Sequence, residues 1–120
     1  DWASSKVDRR STTGIRVTIG GFKIAHSSGT QPGLAALSSA EAELRGMSKA
    51  CCNAIFIRYV ARELLLETQV VLEGDSTAAM ANAAKLGPGR IRHLEVSQMA
   101  IKEAVRQRLV KLRKVLGTDN

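Results

Sequence analysis

A chain of 120 residues, 44% of them hydrophobic, is long enough to bury one compact core and too short for two. No stretch approaches the roughly 18 uninterrupted apolar residues of a membrane span. The opening Asp-Trp-Ala-Ser-Ser-Lys has neither the basic region nor the apolar run of a secretory signal, which predicts an intracellular protein with no membrane partner. The net charge of +7 is held unevenly: between Lys85 and Lys114 nine basic residues stand against Glu95 and Glu103, while the rest of the chain balances nine basic with nine acidic groups. A basic C-terminal third on a neutral body suits a polyanion binder, because phosphate contacts release counterions; a solvated charged helix face accounts for it equally well.

In chain order, Ile15, Val17 and Ile19 alternate with Arg16 and Thr18, and Phe22, Ile24 and His26 alternate with Lys23 and Ala25 across Gly20-Gly21. This predicts a hairpin of two strands with one apolar face. Ser27 to Gly33 reads as a turn-rich loop. Ser38 opens a helix predicted to run to about Leu66, with Glu43, Met47, Ala50, Ala54, Ile57, Ala61 and Leu64 along the face that packs on a sheet. Cys51 and Cys52, adjacent within it, cannot staple distant segments and read as small core or boundary residues. Gln69 to Glu73 is a β-branched strand, Ser76 to about Leu86 a helix broken at Gly87-Pro88-Gly89, Leu94 to Arg106 a further helix, and Leu109 to Val115 a last strand. The predicted order is β-β-α-β-α-α-β, an α/β fold in a single domain over residues 1–120 with helices covering a mixed sheet.

Two carboxylates stand out from this pattern. Ser38-Ser39-Ala40-Glu41 has the form of a capping box, which accounts for Glu41. Glu43 lies at the edge of the stripe expected to be buried, where a carboxylate is costly unless paired or bound to a cation; the competing reading is a charge held at a helix N-terminus by the dipole. Asp75 follows a strand directly and precedes a helix, at the strand's carboxyl end where α/β folds gather ligands; the competing reading is an N-cap. His93, in the basic run Arg90-Ile91-Arg92-His93, has no second histidine nearby to share zinc, and reads as a surface or phosphate-facing group. No Gly-rich phosphate loop, nucleophile elbow or usable Cys/His pair is present.

Five segments, taken in order, resemble the ribonuclease H domain of Ty1/copia-type retrotransposon reverse transcriptases. They are Asp1-Trp2-Ala3 with Asp8-Arg9-Arg10-Ser11-Thr12-Thr13-Gly14, Gln31-Pro32, Ala36-Leu37-Ser38-Ser39-Ala40-Glu41-Ala42-Glu43, Gly74-Asp75-Ser76-Thr77-Ala78-Ala79, and Arg90-Ile91-Arg92-His93-Leu94-Glu95-Val96. The resemblance covers essentially the whole chain. It implies a ribonuclease H-like mixed sheet flanked by helices, with the first strand and the C-terminal end incomplete. The implied activity is endonucleolytic hydrolysis of the RNA strand of an RNA/DNA hybrid with two Mg²⁺ ions, Mn²⁺ being an alternative. In that reading Glu43, Asp75 and Asp1 are the catalytic metal ligands, and Ser38 and Ser39 touch the hybrid's minor groove. Arg9, Arg10, Arg90, Arg92 and His93 contact its backbone. The implied setting is a polyprotein carrying a reverse transcriptase domain, in a cytoplasmic particle or the nucleus. The alternative functions are a non-catalytic hybrid-binding remnant of the same fold and a scaffold segment of the polymerase.

Overall fold

The computed structural model of the chain describes residues 10–32, 35–36, 38–84 and 96–116. Its elements are β1 (Thr12–Ile19), β2 (Phe22–Thr30), α1 (Ser39–Glu63), β3 (Val70–Gly74), α2 (Thr77–Ala84), α3 (Val96–Arg106) and β4 (Val110–Lys114). This is the predicted order, and the class is mixed α/β. The sheet is divided among the described residues: β1 and β2 form one antiparallel pair, β3 and β4 one parallel pair.

β1 and β2 turn at Gly20 and Gly21, both at positive φ, the conformation that a two-residue hairpin demands and that glycine adopts without steric cost. The pairing slips between Val17 and Thr18, the local irregularity of a β-bulge. β2 runs on through Thr30, so most of the segment expected to be loop is strand. It is exposed along its whole length, with Phe22 78% exposed. The expected apolar face of the hairpin is therefore buried only on β1, at Ile15.

Gln31 ties the hairpin to α1. Its backbone N–H donates to Ser11 O at 2.8 Å, and its side-chain Nε2 donates to Thr13 Oγ1 and to Ala42 O, both at 2.7 Å. The two elements approach so closely that a Cβ at Gly46 would stand 3.0 Å from the Thr13 methyl. The main core lies elsewhere. Leu44, Met47 and Cys51 of α1 meet Val70 and Leu72 of β3, Ala79 and Ala83 of α2, Ile101 and Ala104 of α3, and Val110 of β4. The buried face of α1 is thus set by Leu44, Met47, Ser48 and Cys51, and Leu64 at the end of the predicted stripe is exposed. Ser48 enters this apolar face by donating its hydroxyl to Leu44 O at 2.8 Å, which satisfies the buried donor.

α1 and α3 end in the same way. Leu65 N–H bonds to Arg62 O and Leu66 N–H to Ala61 O; Arg108 N–H bonds to Val105 O and Leu109 N–H to Ala104 O. These are Schellman closures, with Leu65 and Arg108 at φ 60° and 58° in the glycine position. No helix among the described residues is long and apolar enough to cross a membrane.

Candidate functional site: two carboxylates at one end of a cleft

Glu43 comes from the second turn of α1 and Asp75 from the residue after β3. Both line a cleft of about 1030 Å³ that runs between β1 and β3 over α1. β3 runs antiparallel to α1, since Thr68 O accepts from Arg58 Nε at 3.3 Å while Gly74 lies against Met47. The carboxyl end of β3 is thereby brought to the N-terminal part of α1, and Asp75 with it.

The structure decides both competing readings of these residues. The N-cap of α2 is Ser76, whose Oγ accepts from Ala79 N–H at 3.2 Å and whose carbonyl accepts from Met80 N–H at 3.0 Å. Asp75 is therefore not the cap. The N-cap of α1 is Ser38, accepting from Glu41 N–H at 3.1 Å, and the acidic residue of the first turn is Glu41, which pairs with Arg45 at 2.9 Å. Glu43 lies beyond that turn, where the dipole's effect has largely faded.

The carboxyl of Glu43 has its pKa raised, first by partial burial and second by the negative charge of Asp75. Glu43 and Asp75 thus repel one another across the end of the cleft. A divalent cation between them would relieve that repulsion. Two carboxylates, with water filling the remaining positions, are a donor set suited to Mg²⁺. Among the described residues no group of three or more His, Cys, Asp or Glu side chains comes together, so this site is a pair.

Of the other predicted site residues, Ser38 and Ser39 are exposed side by side at the start of α1, about one turn before Glu43 in the helix. Arg10 is half-buried and precedes Ser11, which lines the cleft. Asp1, Arg9, Arg90, Arg92 and His93 lie outside the described residues.

The basic C-terminal third is less uniform than its composition suggests. Lys102 is 9% exposed, Arg106 is paired with Glu103 at 2.6 Å, and Arg113 of β4 is paired with Glu73 of β3. Arg108, Lys111 and Lys114 are exposed. Sequence reasoning missed the Glu73–Arg113 pair, which also borders the cleft. Its signal was a register that sets the two residues opposite each other, and that pairing is not written in either strand alone. Set against protein-family models, curated proteins and solved structures, the chain gives no significant match.

Proposed function

We propose that this chain is a ribonuclease H-type hydrolase that cuts the RNA strand of an RNA/DNA hybrid with Mg²⁺, or Mn²⁺ in its place, in the course of retrotransposon reverse transcription. The observation that carries the reading is the pair Glu43 and Asp75: neither caps a helix, and their charges repel at one end of a cleft. In this reading both sheets belong to one ribonuclease H-like sheet, and the working setting is an intracellular particle or the nucleus beside a reverse transcriptase domain.

Glu43 and Asp75 would hold the metal, which when bound supplies Lewis-acid stabilisation of a phosphoryl oxygen and a more acidic water. The chain's own part is to bring the two carboxylates together at the cleft. The exposed Ser38 and Ser39 offer hydroxyls to the minor groove, where the 2′-OH distinguishes RNA from DNA. Arg9, Arg10, Arg90, Arg92 and His93 would contact phosphates, and Asp1 would add a third acidic ligand.

The alternative is hybrid binding without cleavage. It would follow if Glu43 and Asp75, the two acidic side chains that the described residues bring to the cleft, were the whole ligand set, since two ions ordinarily share more. One assay separates the readings: an end-labelled RNA/DNA hybrid is incubated with the 120-residue chain and Mg²⁺, beside Asp75→Asn, with hybrid binding recorded in the same samples. Metal-dependent cleavage that Asp75→Asn abolishes while binding persists is the expected result. Binding without cleavage by the unaltered chain would establish the alternative, and neither binding nor cleavage would remove both.

A further inference from the structure

The sides of α1 meet different surroundings. Leu44, Met47 and Cys51 enter the core, and Ala50, Ala54 and Ile57 line the cleft. The remaining side holds Lys49, Cys52, Phe56, Tyr59, Val60 and Glu63, all of them exposed, with Phe56 at 68%. At the end of the helix the chain turns through Leu64, Leu65 and Leu66, exposed as well. Single exposed apolar side chains are ordinary. Six large ones in succession, from Phe56 to Leu66, leave on the order of several hundred Å² of apolar surface in one patch, the scale that marks an interaction site. It is comparable with the roughly 800 Å² that each partner brings to a standard interface.

The pattern of this side says what covers it. Lys49, Phe56 and Glu63 recur every seven residues, with Cys52 and Tyr59 three places after the first two. That is the a and d spacing by which two helices pack along a seam. The charges at its ends set the direction. Parallel pairing of two copies would oppose Lys49 to Lys49 and Glu63 to Glu63. Antiparallel pairing about a twofold axis at Phe56 instead sets Lys49 against Glu63 of the second copy, and by symmetry does so twice. Phe56 then meets its own mate, and Cys52 faces Val60 of the second copy. The same axis brings the turn at residues 64–66 of one copy to the level of Ser48 of the other. There a pocket of about 320 Å³ lies between α1 and the end of β2, with Thr30, Pro32, Ser48, Lys49, Cys52 and Asn53 in its wall. Leu65 holds a positive φ at 93% exposure, a strained place for a leucine that packs on little in its own copy. In the pair it has a socket.

We infer that this side of α1 is a homodimer interface, independent of the nuclease reading. Two copies pair antiparallel through Phe56, with ion pairs between Lys49 and Glu63 at either end and the 64–66 turn of each copy seated in the pocket between α1 and β2 of the other. The surface is complementary to itself, as a twofold interface requires. The cleft with Glu43 and Asp75 lies on another side of the helix, so the cleft of each copy stays open in the dimer.

Sedimentation velocity on the 120-residue chain over rising concentration is the test, and a monomer–dimer equilibrium is the expected result. Phe56→Glu changes a position exposed in the monomer, so it should keep the fold by circular dichroism and weaken association at least about thirtyfold, the scale of an interface hot spot. Lys49→Glu or Glu63→Lys alone opposes like charges twice and should weaken association at least about tenfold, whereas the two changes together should restore it. That exchange of charges tests the pairing even if Phe56→Glu fails to fold. A chain that stays monomeric up to about 1 mM overturns the inference, whether its own residues cover the face or a different protein does. A dimer indifferent to Phe56→Glu overturns it too, as does a double charge exchange that associates no more tightly than the single ones.

Discussion

At the residue scale, Glu43 ties the site to the stability of the fold. Its folded pKa is raised above the ordinary 4.5, so between 4.5 and that raised value the native state binds more protons than the unfolded one. Stability from this group is therefore fully present below the unfolded pKa and is lost as pH rises through the folded pKa. Asp75→Asn removes the second of the two causes and should move the Glu43 carboxyl back toward 4.5, read by ¹³C NMR titration; an unmoved titration would show that burial acts alone. Glu43→Gln should stabilise the chain at neutral pH on the order of 0.5 kcal/mol, the scale of a solvent-screened charge pair, measured by urea unfolding. The adjacent cysteines make a sharper contrast. Burial, and then the neighbouring Cys52, push the Cys51 thiol up to about 11, while Cys52 is exposed. Since thiolate and access govern reactivity, iodoacetamide should label one cysteine in the native chain and both only in denaturant. Native labelling of Cys51 would contradict its place in the core.

Among the elements, what was legible in the sequence depended on whether the signal was local. The Gly20-Gly21 turn, the Ser38 cap and the alternation of β1 each lie within a few residues, and the element order follows from them. The helix ends did not announce themselves, because both Schellman closures put a non-glycine residue at positive φ; the pattern then overran α1 to Leu66. Leu65 is 93% exposed and gives up little packing, so Leu65→Gly should relieve the left-handed strain and stabilise the chain by up to about 1 kcal/mol. A loss of stability in urea unfolding would instead show that Leu65 packs in a way its exposure does not reveal. The stripe on α1 was legible in part: Met47 and Ala61 are buried and Ala50 and Ala54 pack against the core as expected, but Ser48 is polar and buried, its hydroxyl bonded within its own helix, so Leu44, Ser48 and Cys51 did not read as part of the face. Asp75 was ambiguous because Asp75 and Ser76 are both good caps, and only the hydrogen bonds of Ser76 assign the task. That assignment freed Asp75 for the site.

Across the whole molecule, the described residues divide into a core and an attached hairpin. α1, α2, α3, β3 and β4 share one buried cluster, whereas the hairpin is tied to α1 by the Thr13–Gly46 approach and the Gln31 hydrogen bonds, with Ile15 as its buried apolar residue. Few buried apolar contacts mean a low free energy of local opening. In native-state hydrogen exchange, the β1–β2 amides should open well below the global unfolding free energy, while those of β3 and α3 track it. Gln31→Ala deletes two side-chain hydrogen bonds, each worth about 1 kcal/mol net, and should lower the opening free energy of the hairpin by about that much or more with little change in the core. Leu44→Ala works at the other end: Leu44 is fully buried at the centre of the cluster, and its loss should cost about 2–5 kcal/mol and lower core protection. If Gln31→Ala lowered hairpin and core protection equally, the two would unfold as one unit. The cleft would then owe its shape to a single cooperative structure. If only the hairpin responds, Gln31 holds a joint between Thr13 of β1 and Ala42 of α1 that opens independently of the core.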